Sequence, residues 1–124
     1  MKFQLSEWIE ALQKADCPQA ICKGYGRPDG SRCAIGVAFD VMVEKFPLRY
    51  GWEWYDEGPL GFRPVDLVKK KSLVAGEIVS EFLKNKPSSA VPFIPYVTKL
   101  IIHKNDIEED DFKQIALYLR EVQP

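Results

Sequence analysis

The sequence predicts a single, mainly α domain of four to six helices, built around a buried central helix at residues 32–46. Three observations support this prediction. Apolar residues recur at helical spacing in several segments, and the 32–46 segment is apolar on most sides. The chain of 124 residues has room for only one hydrophobic core, so we expect residues 1–124 to form one domain.

The first helix is expected over residues 6–15. Its apolar positions follow helical spacing, and Ser6 is the expected N-cap. Pro18 ends it, because proline disfavours helical geometry in the residue before it. The apolar positions are Leu5, Trp8, Ile9 and Leu12.

The central helix follows a loop at residues 23–31 that is rich in glycine and contains a proline. Ser31 is its expected N-cap, and Pro47 follows its end. Asp40 lies inside this apolar segment, so a buried Asp40 needs a partner, which an arginine can supply. The candidate arginines are Arg27, Arg32, Arg49 and Arg63.

Residues 47–64 are expected to form a long aromatic loop, since glycines and prolines interrupt any clean period. A short extended piece at Trp52–Tyr55 would add a small β element. In that piece both tryptophans lie on one side, because successive side chains of a strand point to opposite faces. We therefore expect Trp52 and Trp54 to pack inward, and Tyr50 or Tyr55 to tolerate substitution.

The second half of the chain is expected to contain further helices. Residues 95–104 fit a helix, although their β-prone sequence leaves a strand open. The run Lys69–Lys71 is most simply a solvated face, with a phosphate-binding patch as the alternative. The other expected helices are Val65–Lys70, residues 72–85, and a final helix that follows the acidic turn 105–111 and is capped by Asp111 with Gln114.

The composition argues against several kinds of partner. Seventeen Lys and Arg against eighteen Asp and Glu give a net charge of −1, which provides no long-range field for nucleic acid. No apolar run approaches the ~20 residues that a membrane-spanning helix needs. The N-terminal segment also lacks the apolar core of a signal peptide. We expect a cytoplasmic chain with no membrane or nucleic-acid partner.

The cysteines and the single histidine allow one metal site. An odd number of cysteines without an export signal argues against a disulfide framework. A Cys3His zinc site remains an alternative, but structural zinc sites more often have two closely spaced pairs and this chain has one loose pair. We expect reduced, buried thiols and no metal or other cofactor. The four candidate ligands are Cys17, Cys22, Cys33 and His103.

A second chemical alternative is a cysteine hydrolase. Cys33 would lie in the first turn of the central helix, where the helix dipole favours a thiolate. His103 and Asp106 follow later in the chain, which is the order of nucleophile, base and orienting residue in papain-like hydrolases. The apolar residues after Cys33 instead predict a buried thiol, so we expect no catalysis.

Two segments of the chain carry recognisable sequence patterns. The first is residues 29–40, which contain the pattern DG-x-x-C-A-I-G-V. The second is Asn105-Asp106 followed by the F-x-x-I-A pattern that begins at Phe112. With Trp8 upstream, these patterns resemble those of a group of small uncharacterised phage and prophage-type proteins, and the matches cover about half of the chain. The resemblance implies phage origin, and hence the cytoplasm of a host cell, but it implies no established activity.

The aromatic segment supplies the candidate binding residues. Tyrosine and tryptophan are enriched at the hot spots of protein interfaces. We therefore expect a small, non-catalytic phage-type protein that binds a host or phage macromolecule, with a protein as partner and the oligomeric state left open. The alternative is a core lid, in which the same rings fill the interior. The candidate binding residues are Tyr50, Trp52, Trp54 and Tyr55.

Overall fold

The fold consists of five helices and a three-stranded antiparallel sheet within the residues that the computed structural model describes. Those residues are 3–20, 26, 30–55, 61–83 and 94–122, without the side chains of residues 55, 61 and 122. The prediction of a mainly α fold with a small β element is confirmed. The elements are α1 (Leu5–Lys14), α2 (Ala34–Lys45), β1 (Tyr50–Tyr55), β2 (Gly61–Asp66), β3 (Lys71–Ser72), α3 (Ala75–Leu83), α4 (Ile94–Asp106) and α5 (Phe112–Val122).

Helices α1 and α2 lie where the sequence predicts them, but both expected N-caps are wrong. Helix α1 is capped by Gln4, whose backbone N–H donates to a Glu7 carboxylate oxygen at 2.8 Å. The helix begins at Leu5, one residue before Ser6, and the Leu5 side chain is buried.

Helix α2 begins only after Cys33, its N-cap. Its start is displaced because Arg32 is held in an extended bridge, and Ser31 therefore cannot cap the helix. The Arg32 N–H donates to the Pro18 carbonyl at 3.0 Å, and the Arg32 carbonyl accepts from the Ala20 N–H at 2.8 Å.

The segment expected to be a long loop is instead mostly a β-hairpin. Strands β1 and β2 pair in antiparallel register, with Tyr50 opposite Asp66 and Trp52 opposite Pro64. The extended piece at Trp52–Tyr55 is confirmed as part of β1.

The prediction of a short helix at Val65–Lys70 is wrong. Val65 and Asp66 pair with β3, and the following turn is held by Asp66 Oδ1, which accepts from the N–H groups of Val68 and Lys69. A side chain that bonds the backbone two and three residues ahead favours a turn over a helix start.

The later helices follow the sequence more closely. Helix α3 lies inside the expected range 72–85, whose last two residues are outside the described ones. The segment left open between helix and strand is helical, as α4. Helix α5 is preceded by the expected capping pair, because Asp111 and Gln114 each accept from the other's backbone N–H at 2.8 Å.

Helix α2 is the centre of the hydrophobic core, as predicted. Its residues from Ala34 to Phe39 are buried, as is Met42. Helices α1, α3 and α4 pack around it, and α5 packs mainly on α1. Trp8 of α1 is fully buried, and its indole N–H donates to the Ala34 carbonyl at 3.1 Å.

Asn105, near the end of α4, is a buried polar residue with a complete set of hydrogen bonds. Its Oδ1 accepts from the Ala34 N–H at 3.0 Å and from the Gln19 side-chain amide at 2.9 Å. Its Nδ2 donates to the Ala20 carbonyl at 2.8 Å and to the Asp106 carboxylate at 2.7 Å. The amide thereby uses two acceptor and two donor positions, its whole capacity. We call these hydrogen bonds the Asn105 network.

We expect Asn105→Ala to lower the free energy of unfolding by about 3 kcal/mol, because it leaves several buried backbone and side-chain groups without partners. Urea denaturation followed by circular dichroism measures this change. The matched control is Lys99→Ala, an exposed position on the same helix, which should change stability by less than about 0.5 kcal/mol. A loss below about 1 kcal/mol for Asn105→Ala would show that the network is dispensable.

Candidate functional site

The candidate site is the hairpin formed by β1 and β2, which contains the aromatic residues singled out in the sequence. Residues directly opposite each other in an antiparallel pair share a face of the sheet. One face of the hairpin therefore groups three side chains of β1 with three of β2. These residues are Tyr50, Trp52, Trp54, Phe62, Pro64 and Asp66.

Trp52 attaches this face to the central helix. Its ring packs edge-on against Phe39 of α2, with the centroids 4.9 Å apart. Its indole N–H donates to Asp40 Oδ1 at 2.8 Å, and Arg32 Nε donates to Asp40 Oδ2 at 3.0 Å. The Arg32 guanidinium also lies 4.7 Å from the centre of the Trp52 ring. The prediction that an arginine pairs with Asp40 is confirmed, and the arginine is Arg32.

Tyr50, one of the candidate binding residues, is buried. It is 3% exposed, and its ring lies 6.0 Å from that of Phe39. Burial, followed by the negative charge of Glu81, raises the pKa of Tyr50 above its ordinary value. Its position next to Phe39 follows from the turn that enters β1, because the Tyr50 N–H donates to the Phe46 carbonyl just after α2.

Trp54 is the aromatic residue of this face that stays accessible. It is 48% exposed, and its ring packs edge-on against Phe62 at 5.3 Å. The expectation that both tryptophans pack inward is therefore wrong for Trp54. The alternation places Trp52 and Trp54 on one face, but the ring of Phe39 on α2 reaches only Tyr50 and Trp52. The side chain of Tyr55 lies outside the described residues.

Strand β1 is an edge of the sheet, whose order is β1-β2-β3. The Leu67 N–H donates to the Arg49 carbonyl at 2.7 Å, so Arg49 and Leu67 form a hydrogen-bonded pair. Hydrogen-bonded and non-hydrogen-bonded pairs alternate along an antiparallel ladder. Every second residue of β1 after Arg49 bonds to β2, so the backbone groups of Trp52 and Trp54 point outward. In the described residues no backbone hydrogen bond reaches these outward groups.

The residues of the hydrolase alternative have separate partners. The Cys33 thiol accepts from the Gly36 N–H at 3.3 Å, and burial raises the pKa of this thiol to about 11. His103 is exposed, and its Nδ1 lies 3.3 Å from a Glu108 carboxylate oxygen. Asp106 accepts from Asn105. A partly buried thiol with a raised pKa, whose hydrogen bond is to the Gly36 N–H and not to a histidine, is the reverse of an activated nucleophile.

The zinc alternative gains no geometric support in the described residues. There, no three side chains of histidine, cysteine, aspartate or glutamate come together in a way that could hold a metal. Cys17 is half-buried and packs against the core, as does Cys33. Cys22, the remaining thiol of the proposed set, lies outside the described residues.

The chain matches no protein-family model, no curated protein and no solved structure. The phage resemblance therefore stays a prediction based on the quoted residues, and the function has to be argued from the geometry of the hairpin. No helix among the described residues is long and apolar enough to cross a membrane.

We expect Trp52→Ala and Trp54→Ala to affect stability very differently. Loss of Trp52 removes the Phe39 contact and leaves Asp40 with one partner fewer, so it should cost about 3 kcal/mol. Loss of the half-exposed Trp54 should cost less than about 1 kcal/mol. Urea denaturation of the two variants side by side measures the difference. Equal losses would contradict the assignment of Trp52 as the anchor and Trp54 as the surface residue.

We expect Cys33 to react slowly with iodoacetamide in the folded protein. With a pKa of about 11, about one thiol in ten thousand is ionised at pH 7, and burial further limits access. Mass spectrometry of a Cys17→Ser/Cys22→Ser variant follows Cys33 alone, and the same variant in urea is the control. Rapid, selective alkylation near pH 7 in the folded state would instead favour the hydrolase.

Proposed function

We propose that this chain is a small, non-catalytic protein of phage type that binds a host or phage protein in the cytoplasm of the host cell. The partner contributes an extended segment that pairs with the outer edge of β1, and Trp54 is the main side-chain anchor. The observation that supports this proposal most strongly is the edge of β1, which no other described strand covers, beside a half-exposed tryptophan.

Among the described residues, the edge of β1 lacks the usual protection against strand pairing. Exposed edge strands are commonly blocked by proline, by charged side chains or by a bulge. Strand β1 contains no proline, and its one charged residue, Glu53, already pairs with Arg63 of β2. Main-chain hydrogen bonds to such an edge supply affinity, and pockets for alternate side chains supply specificity.

The attachment of Trp52 supports the same function. A binding edge is more effective when it is held rigidly, because less conformational freedom is lost on association. The Asp40 and Phe39 contacts of Trp52 hold the middle of β1 against α2. Trp54, two residues further along the strand, stays free to contact a partner. Tryptophan is among the residue types that most often dominate binding energy.

The direct test compares Trp54→Pro, Trp54→Ala and a control, Leu117→Ala, which removes a 58% exposed apolar side chain on α5. Each tagged variant captures proteins from a lysate of the host cell. Proline at position 54 removes an outward N–H and spares the ladder to β2, so it should abolish capture of the partner. Trp54→Ala should weaken capture about tenfold or more, as hot-spot losses do, and Leu117→Ala should not.

Circular dichroism and the fluorescence of the remaining tryptophans verify that each variant is folded. Capture of the same partner by folded Trp54→Pro at the wild-type level would contradict strand addition at β1. Equal loss of capture in Leu117→Ala would show that the effect is not specific to the hairpin.

A further inference from the structure

One end of the sheet carries a cluster of exposed apolar side chains. Leu48 is 91% exposed, Val68 is 68% exposed and Leu67 is 49% exposed. The hydrogen bond from the Leu67 N–H to the Arg49 carbonyl brings the two turns that hold them side by side. Single exposed apolar residues are ordinary, but several together beside polar residues mark an interaction surface. We call residues 48–49 and 67–71 the tip.

The tip has an excess of positive charge, although the whole chain has a net charge of −1. Arg49 is matched by Asp66, whose Oδ2 lies 3.5 Å from Arg49 Nε, and Lys71 is matched by Glu77. Lys69 and Lys70 form no ion pair among the described residues. A cleft of about 340 Å³ beside the tip is lined by charges of both signs, so the excess of positive charge lies on the outer side of the tip. The charged lining residues are Arg49, Lys69, Lys71, Asp66, Glu77 and Glu81.

The turn that carries the lysines is fixed in shape. Asp66 is 2% exposed, and its Oδ1 accepts from the Val68 and Lys69 N–H groups at 3.0 and 2.9 Å. Lys70 has a φ of 57°, a left-handed conformation that costs energy for a residue other than glycine. The tip is therefore a preorganised projection, with its apolar and basic side chains held outward.

The geometry points to an acidic segment with apolar anchors as the part of the partner protein that contacts the tip. This inference rests on the proposed function, because Leu48 and Arg49 directly precede β1. A partner segment paired with Trp52 and Trp54 reaches the outer edge only up to Tyr50, whose outward N–H already donates to the Phe46 carbonyl. Beyond that point the segment would leave the strand edge and pass beside the tip, where acidic groups would face Lys69 and Lys70. Complementary charge of this kind steers association and selects partners.

A lipid surface fits the tip less well than an acidic protein segment does. Polybasic segments that recognise anionic lipids usually contain about four to eight lysines or arginines, whereas the tip has only two lysines, Lys69 and Lys70, that form no ion pair among the described residues. The tip also lacks the tryptophan or tyrosine that commonly lies at a membrane interface.

The test uses two fluorescent peptides that alternate valine with a charged residue, glutamate in one and lysine in the other. Fluorescence anisotropy with the full chain should show at least tenfold tighter binding of the glutamate peptide, weakening as salt rises. The preference should disappear in Lys69→Glu/Lys70→Glu. The preference should persist in the control Lys99→Glu/Lys113→Glu, which reverses the charge at two exposed lysines on α4 and α5.

Equal affinity for the two peptides, or no binding of the glutamate peptide at millimolar concentration, would overturn the acidic partner. If Trp54→Pro lowers the affinity for both peptides equally, the result supports the proposed strand addition even when the wild-type chain shows no preference for the glutamate peptide. If Trp54→Pro changes neither affinity, the proposed function fails instead. If the chain sediments with phosphatidylglycerol vesicles and Lys69→Glu/Lys70→Glu does not, the tip binds a lipid surface and the proposed acidic segment is contradicted.

Discussion

The buried side chain of Asn105 holds together three segments that are distant along the chain. It caps the N-terminus of the central helix by accepting from Ala34, which lies 71 residues earlier. The adjacent N-cap, Cys33, supplies only a thiol, a weak acceptor. The same amide bonds Gln19 and Ala20, in the segment that precedes the loop. Buried polar networks stabilise a fold only when all their members are satisfied, and this one uses every position of the amide.

The position of the hairpin depends on this arrangement through Ala20 and Arg32. The Ala20 carbonyl accepts from Asn105, and the Ala20 N–H donates to the Arg32 carbonyl. Arg32 in turn bonds Asp40, which accepts from Trp52 of β1. A continuous path of hydrogen bonds thus runs from the end of α4 to the middle of the edge strand. It fixes Trp52 and ends before Trp54, so the proposed binding edge is rigid in its middle and accessible at its end.

The network also connects the two segments on which the predicted phage resemblance is based. The first segment contains Ala34 at the start of α2, and the second contains Asn105 at the end of α4. The hydrogen bond between them joins the two segments directly. Ala34 and Asn105, one in each segment, therefore have a structural role. The binding function is proposed for residues outside both segments, on β1.

The helices could be predicted from the sequence because their apolar residues recur at helical spacing, which is a local signal. The hairpin could be predicted only in part. Prolines and glycines obscure its alternation, and the position of Trp54 beyond the support of α2 depends on how the strand crosses the helix. The helix predicted at Val65–Lys70 is wrong because Asp66 holds the segment in a turn. Its side chain accepts hydrogen bonds from the next backbone N–H groups, and the apolar pattern of the sequence gives no sign of such a contact. The role of Asn105 has no local signal, since its partner Ala20 lies 85 residues away.

Amide hydrogen exchange at Ala34, followed by NMR, tests the central role of the Asn105 network most directly. The first amides of a helix have no partner within the helix and normally exchange quickly. Because the Ala34 N–H is buried against Asn105, we expect it to exchange only through global unfolding, at the rate of the slowest amides in α2. Rapid exchange of Ala34 in the folded protein would contradict the account, because the central helix would then begin without its remote cap.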